Sequence, residues 1–305
     1  MAHVTLAKTS QSGLQLILVD IADKKGIFKK HNVAVDVVAL NGDAGSIPAL
    51  VSGSVQFAVS TATPFFAAAQ KTDALQIVTP IGSEPPAQAV MNKVVAKRLG
   101  ITDSTPIADK VKALKGLKVA VQDIGGGLQY TLNALLSGNG MVPKDVNLSA
   151  VSPYTTMLAA LRKGDIDAAA PAVPYGYIAV EEGDAVMLAD IWGGAVPSMA
   201  NLDFSLLNVN RKYAKDHPDV VQAIKDSMQD AMDYIHSNPD GAFSVAKGLL
   251  PAISDGVLKK TVESKAGYPT TTKFTAENFK KIAAFAKSSG VDPTGIELDK
   301  VLWKK

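Results

Sequence analysis

Strand-like and helix-like segments alternate along residues 1–80, and this alternation restricts the fold more than any other feature of the sequence. The predicted strands lie at residues 4–8, 33–40, 55–60 and 75–80. Between them, apolar residues recur at helical spacing, as Leu14, Ile17, Leu18 and Ile21 do. This pattern is typical of an α/β domain in which helices cover a largely parallel sheet.

A second series of the same kind follows a proline-containing connection at residues 82–87. Its predicted strands lie at residues 88–93, 118–122, 148–151, 166–171 and 186–191. Residues 204–209 are predicted to be a strand that returns to the first series, and the remainder is predicted to be helical. We therefore expect two lobes, with residues 1–87 and 207–305 in lobe I and residues 88–206 in lobe II.

A repeated pattern indicates that the two lobes are built alike. Residues 49–58 (ALVSGSVQFA) and 160–169 (ALRKGDIDAA) each combine a helix end, a glycine, a β-branched residue and a predicted strand. Each copy falls at the same place in its own series of strands and helices. The repeat supports two similar α/β lobes.

Composition excludes several classes of function. The formal net charge is only +2, from 31 basic and 29 acidic residues without a basic block, so nucleic-acid binding has little support. The chain has no cysteine, and its 4 histidines lack metal-ligand spacing. No apolar run reaches the roughly 18–20 residues of a membrane span. We expect neither a metal nor a cofactor.

A glycine-rich turn after a predicted strand is the strongest candidate for a binding element. Asp123 follows the predicted strand, Gly125, Gly126 and Gly127 come next, and a helix is predicted to begin after them. Glycines permit close approach, and the free N–H groups at a helix start attract an anion. An ordinary strand-to-helix turn would have the same sequence. Neither the dinucleotide fingerprint, which fails at Tyr130, nor a P-loop is present.

Polar loops also follow other predicted strands, at residues 9–11, 41–46 and 60–63. Ligands of open α/β sheets bind outside the carboxyl ends of the strands. Hydroxyl and amide groups in such loops can hold an oxyanion without a buried counter-charge. The sequence has no Gly-x-Ser-x-Gly elbow, and Asp123, Asp165 and Asp167 lack a spacing that marks a carboxylate pair. No catalytic residue is predicted.

Several segments, taken in order, carry a resemblance. Residues 24–37 (KKGIFKKHNVAVDV) are similar to the pattern A-K-x-x-G-L/I-F-x-K-x-x-V-x-V, and similar stretches follow at residues 49–57, 101–121 and 158–168 and at Pro174 and Tyr175. This series resembles ABC-transporter substrate-binding proteins of the sulfonate, taurine, nitrate and thiamine-pyrimidine group. The likeness covers about residues 4–220.

The resemblance implies a two-lobed α/β periplasmic-binding-protein fold of type II, with two crossover strands that form the hinge. It implies the solute-binding component of an ABC importer: a periplasmic monomer whose signal peptide has been removed, which delivers a small molecule to a membrane permease and ATPase. It assigns no catalytic residue, metal or cofactor. By position, the implied ligand-binding residues are Ser10, Gln11, Gly45, Ser46, Ser60, Thr61, Thr63, Gly125, Gly126, Gly127, Pro174 and Tyr175.

One departure from the family pattern bears on the ligand. Sulfonate binders often read Trp-Asp-Pro-Tyr where this chain has an alanine and a valine before Pro174 and Tyr175. The missing acid speaks against an amine-bearing ligand such as taurine. Small residues leave room for a bulkier organic anion, an aromatic carboxylate or a sulfonate-like group, with Phe65, Tyr130 and Tyr175 as candidates to stack on a ring.

The alternative function is an enzyme of the same fold related to thiamine-pyrimidine synthesis. Such enzymes resemble this group but carry a cysteine-rich motif and a histidine in the cleft. This chain has no cysteine, and none of its histidines falls in a candidate cleft loop. A regulator's effector lobe is a third possibility, but no helix-turn-helix precedes the first strand. The residues therefore favour a binding protein that is not an enzyme.

Overall fold

The computed structural model describes residues 1–9, 14–264 and 267–305, and the strands of these residues form two five-stranded sheets. The first sheet contains β1 (Ala2–Lys8), β2 (Val33–Ala39), β3 (Phe57–Thr61), β4 (Leu75–Gly82) and β10 (Ser205–Asn210). The second contains β5 (Gln88–Asn92), β6 (Lys118–Val121), β7 (Asn147–Ala150), β8 (Ala168–Ala169) and β9 (Ala185–Asp190). The first sheet belongs to lobe I and the second to lobe II.

The two sheets share one topology. Their strand orders are β2-β1-β3-β10-β4 and β7-β6-β8-β5-β9. In each, three consecutive strands are parallel, and the strand that follows a crossing between the lobes (β10 or β5) lies antiparallel to both neighbours. The two-lobed α/β fold is as the sequence predicts, although the inserted strands make both sheets mixed. The chain crosses at residues 83–87 and 191–204, and the lobe boundaries placed at these crossings stay a prediction.

Helices pack on both sheets. In chain order they are α1 (Ile17–Lys24), α2 (Ile27–Lys30), α3 (Gly42–Ser52), α4 (Ala62–Ala69), α5 (Lys93–Arg98), α6 (Ile107–Lys112), α7 (Gly127–Ser137), α8 (Tyr154–Lys163), α9 (Tyr175–Glu181), α10 (Arg211–Asp216), α11 (Pro218–Ser237), α12 (Pro239–Leu249), α13 (Asp255–Val262), α14 (Ala276–Ser288) and α15 (Leu298–Val301). Helix α11 buries Val221, Ile224, Met228 and Ile235 along one face, the spacing expected of a helix packed on a core. Among the described residues, no helix is both long and apolar enough to cross a membrane.

The repeat is confirmed in the local geometry. Gly53 ends α3 with φ +78°, and Gly164 ends α8 with φ +81°. Each glycine precedes the third strand of the parallel set of its lobe, β3 or β8. A left-handed C-terminal residue is where glycine is favoured, because a side chain is strained there. Both copies of the repeat therefore mark the same helix-to-strand connection, one in each lobe.

The first residues of α3 are wrongly predicted as a polar turn. Helix α3 begins at Gly42, so Gly45 and Ser46 lie inside the helix, and Pro48 lies inside it rather than near its start. Pro48 lacks an N–H and weakens a helix interior. The earlier start is stabilised from lobe II, because the carboxylate of Asp123 accepts hydrogen bonds from the first N–H groups of α3.

The polar loop predicted at residues 60–63 is also absent. Ser60 and Thr61 are the last residues of β3, and α4 begins directly afterwards at Ala62, with Thr63 buried in its first turn. Ala62 donates its N–H to the carbonyl of Phe204 at 2.9 Å, next to β10. This hydrogen bond fixes the connection between β3 and α4 beside the antiparallel strand β10.

Candidate functional site

A small cavity lies between the lobes, at the carboxyl ends of β1, β3 and β6. Its volume of about 20 Å³ is room for about one water molecule. The described residues that line it are Thr9, Gln15, Leu16, Gly42, Asp43, Val59, Thr61, Pro86, Gln122, Asp123, Gly127, Leu128, Tyr154 and Ser205. Both lobes contribute to the lining, so the structure is a closed arrangement.

Asp43, the second residue of α3, reaches from lobe I to the glycine turn of lobe II. It is 5% exposed. One carboxylate oxygen accepts from the Thr61 N–H at 2.9 Å, and the other accepts from the Thr61 hydroxyl at 2.7 Å and the Gly127 N–H at 3.0 Å. Gly127 is the first residue of α7. The N–H that the sequence predicts to hold an anion is therefore bound to the carboxylate of Asp43.

Asp123 makes the opposite connection, from lobe II to the start of α3. Its carboxylate accepts from the backbone N–H of Ala44, at 3.4 Å, and from that of Asp43. A Cβ atom on Gly42 would lie 2.3 Å from one Asp123 oxygen, and a Cβ on Gly126 would lie 2.2 Å from the other. Only glycine at these positions leaves space for the carboxylate.

Each lobe thus supplies the acid that caps a helix of the other lobe. Asp43 binds the start of α7 and Asp123 binds the start of α3. Both carboxylates lie near the positive end of a helix dipole, which stabilises negative charge. The pair is a reciprocal set of bonds that exists only when the lobes are together.

The site is electrostatically acidic. Burial first and the neighbouring Asp43 charge second raise the pKa of Asp123 to about 6, against the backbone hydrogen bonds that lower it. Burial also raises the pKa of Asp43. No lysine, arginine or histidine is among the described residues that line the cavity. Lys8, next to the lining residue Thr9, is paired with Asp20 at 2.6 Å.

Further bonds join the lobes around the cavity. The Gln122 side-chain amide donates to the carbonyl of Thr9 at 3.3 Å, and within lobe II the Tyr154 hydroxyl donates to the oxygen of the same Gln122 side chain. At the rim, the Ser152 hydroxyl donates to the Asn41 side-chain oxygen at 3.3 Å. The bonds that cross between the lobes link residues that follow β1, β2, β6 and β7, as expected for a site at the strand ends.

Comparison with known proteins now places the chain. The NMT1-like family matches residues 15–250, more than half of the sequence. The chain belongs to the NMT1-like family. Over 232 residues it is 28% identical to the taurine-binding periplasmic protein of Escherichia coli (strain K12), a match that covers 72% of this chain and 63% of that relative.

Solved structures agree with the fold of this NMT1-like protein. The alkanesulfonate-binding protein SsuA from Xanthomonas axonopodis pv. citri, bound to MOPS, has a TM-score of 0.77 at 17% identity, with 99% of this chain and 98% of that chain covered. The aliphatic sulphonate binding protein SsuA from Escherichia coli has a TM-score of 0.72 at 19% identity, with the same coverage of both chains. The fold is that of periplasmic binding proteins.

The glycine turn of the NMT1-like chain lies where the sequence predicts, at the interlobe cavity. Gly127 lines the cavity, and Gly126 packs against Asp123 at its edge. Gly125 has φ +82°, and open space surrounds the position of its missing Cβ. Thr61 also lines the cavity. The role of these residues in binding a ligand stays a prediction.

Other predicted site residues are placed outside the lining. Gly45 packs toward Leu40, Ser46 and Thr63 are buried within helices, and Ser60 accepts a hydrogen bond from Asn208 at 2.9 Å. Pro174 precedes α9. Ser10 and Gln11 lie outside the described residues.

The aromatic residues predicted to stack on a ligand ring lie mostly outside the lining of the cavity. Phe65 is fully buried and packs edge-on against Phe66. Tyr175 is buried against Tyr154, with ring centroids 4.7 Å apart, and it is Tyr154 that lines the cavity. Burial raises the pKa of the Tyr130 hydroxyl, and the charge of nearby Asp43 also raises it.

The sequence predictions missed several lining residues, foremost Asp43, Gln15, Gln122 and Tyr154. Asp43 falls inside the polar segment at residues 41–46 that was assigned to the cleft, so its charge was the available signal. Gln122 immediately precedes Asp123. Gln15 and Tyr154 carried no such signal. Gln15 lies just before α1 and Tyr154 begins α8, and only the fold brings them to the cavity.

Proposed function

We propose that this protein is the solute-binding component of an ABC importer. The two lobes close around a small organic solute at the strand ends, and the closed form is presented to a membrane permease and its ATPase. The observation that carries this proposal is the reciprocal pair of contacts made by Asp43 and Asp123, because bonds of this kind distinguish a closed arrangement from an open one. A binding protein needs such a difference to report its ligand.

The relatives support the proposal through what their names say they bind. One is a taurine-binding periplasmic protein, and two solved structures of the same fold are sulfonate-binding proteins. From this we infer a periplasmic location. Residue patterns in the sequence favour an organic anion, an aromatic carboxylate or a sulfonate-like group. Such an anion could reach the Gly127 N–H only by displacing the carboxylate of Asp43.

We also propose that the protein binds without catalysis. His3 is paired with Asp36 at 3.1 Å and His31 with Asp230 at 3.0 Å, both away from the cavity. His236 bonds the carbonyl of Pro269, and His217 stacks on Tyr213. The cavity therefore lacks a histidine base, and the sequence has no cysteine nucleophile.

Mass spectrometry of material released by denaturing freshly purified protein tests the function. We expect one small solute in an amount approaching one per chain, and we expect its return to raise the unfolding temperature. The solute should be recovered unchanged after long incubation with the protein. Chemical conversion of the solute would support the enzyme alternative. Failure of every small solute to bind would refute a solute-binding role.

A further inference from the structure

One hydrogen-bond acceptor in the cavity stands without a donor. Gln15 lines the cavity and is 6% exposed, and its side-chain oxygen has no partner among the residues that the structure describes. A buried carbonyl oxygen is normally hydrogen-bonded, since losing water without gaining a donor is unfavourable. This oxygen therefore marks a position where a ligand donor would be gained.

Three side-chain donors around the cavity are engaged within the protein. The Thr61 hydroxyl donates to Asp43, the Tyr154 hydroxyl donates to Gln122, and the Gln122 amide donates to the Thr9 carbonyl. The lining also presents acceptors to a ligand. They are the carboxylates of Asp43 and Asp123 and the oxygen of Gln15.

The negative charge of the cavity lining, like its acceptors, favours a ligand that is positively charged and donates hydrogen bonds. Asp43 and Asp123 both line it, and among the described lining residues no basic side chain balances them. Lys8 is held by Asp20 through both carboxylate oxygens, at 2.6 and 2.8 Å. Two carboxylates without a basic partner, although helix N-termini stabilise them, attract a cation to a shielded site and repel an anion.

We propose that the solute recognised here carries a positively charged nitrogen with N–H donors, bound by Asp123 and by the side-chain oxygen of Gln15. This inference rests on the solute-binding function proposed above and adds the chemical class of the solute: protonated amines and amidines, with or without an anionic group elsewhere in the molecule. This positive charge is opposite to the anionic ligand that the missing acid before Pro174 suggests.

Calorimetric titration with matched probes tests the inference. Benzylamine is compared with benzyl alcohol and benzoate, and taurine with isethionate, which has a hydroxyl in place of the ammonium group. We expect each amine to bind at least tenfold more tightly than its partners at pH 7.5. In Asp123→Asn and in Gln15→Leu the preference for the amine should fall at least tenfold. Asp216→Asn, an exposed surface change, should leave it unaltered.

The outcomes separate the two proposals. Tighter binding of benzoate or isethionate than of the amines would overturn the cationic class while supporting a solute-binding protein. An amine preference that survives in both variants would also overturn it, because the charge would then be read elsewhere. If none of the five probes bound at millimolar concentration, and denaturation released no solute, the solute-binding function itself would fail.

Discussion

Asp43 and Asp123 perform the same task in opposite directions, yet they are held differently. Among the described residues, Asp43 accepts two hydrogen bonds from Thr61 in its own lobe and one, from Gly127, across the cleft. In the same part of the chain, the donors to Asp123 come from the start of α3, in the other lobe, and the Ala44 contact is long at 3.4 Å.

This difference assigns the two acids separate roles. When the lobes part, Asp43 keeps its bonds to Thr61 and remains part of lobe I. Asp123 loses its backbone donors and returns to water. Asp43 is therefore a built-in element of one lobe that the other lobe docks onto, whereas Asp123 is the group whose surroundings change most on closure.

Removing the space that Asp123 occupies between the lobes should have the largest effect. In Gly126→Val the new Cβ would lie 2.2 Å from an Asp123 oxygen, so we expect the lobes not to close fully. Solute binding should weaken more than tenfold, with the unfolding midpoint in urea close to that of the unaltered protein. Because the chain has no cysteine, spin labels on Lys30→Cys and Lys163→Cys, exposed sites on α2 and α8, report the distance between lobes.

Gly248→Val is the matched control, since a Cβ there meets no atom within 4 Å. It should close and bind as before. A Gly126→Val protein that closes and binds normally would show that the niche between Gly42 and Gly126 is unimportant, and the assignment of the glycine turn to the cleft would be wrong.

Much of the architecture was predictable because it depends on local periodicity. Helices α11 and α14 lie in the part of the chain that is predicted to be helical, and Gly53 and Gly164 mark the repeat. The start of α3 was not predictable. Pro48 and Ser46 are typical of a helix beginning, and the feature that moves the beginning back to Gly42 is a carboxylate of the other lobe, far away in the sequence.

The candidate site was likewise predictable where its signals are local and not where they lie far apart in the sequence. The glycine turn was visible because glycine and a following helix are local signals. Its occupant was not, since nothing local to Asp43 indicates that its carboxylate will meet the N–H of Gly127. Pairings between lobes depend on how two separately built sheets face each other, and one sequence does not encode that in any short pattern.

The two acids should also differ in how much they contribute to the stability of the fold. Asp43→Ala removes the acceptor for the Thr61 N–H and hydroxyl inside lobe I. We expect the free energy of unfolding to fall by about 1–3 kcal/mol, because buried donors are left unpaired. Asp123→Ala should lower the free energy of unfolding less, since its contact with the Ala44 N–H is long at 3.4 Å and its removal relieves repulsion with Asp43. Urea denaturation measures both; an equal or larger loss in Asp123→Ala would contradict the assigned roles.

The smallest expected effect is a dependence of closure on pH. The pKa of Asp123 is raised to about 6 in the closed cleft, by burial first and by the Asp43 charge second, while a solvated aspartate titrates near its ordinary value of about 4. The closed form therefore binds a proton more tightly than an open form does. Its added stability is complete below about pH 4 and is lost as the pH rises through about 6.

Spin-label distances recorded from pH 4 to pH 8 without added solute should therefore show the closed population decreasing across this range. The groups that face Asp123 are the Asp43 carboxylate and the N–H groups at the start of α3, with no basic side chain among the described lining residues to offset them. Asp123→Asn keeps an acceptor for those N–H groups but cannot ionise, so its closed population should not vary with pH. A pH dependence that persists in Asp123→Asn would transfer the titration to Asp43, whose pKa is also raised by burial, and would reverse the roles that the two carboxylates are assigned.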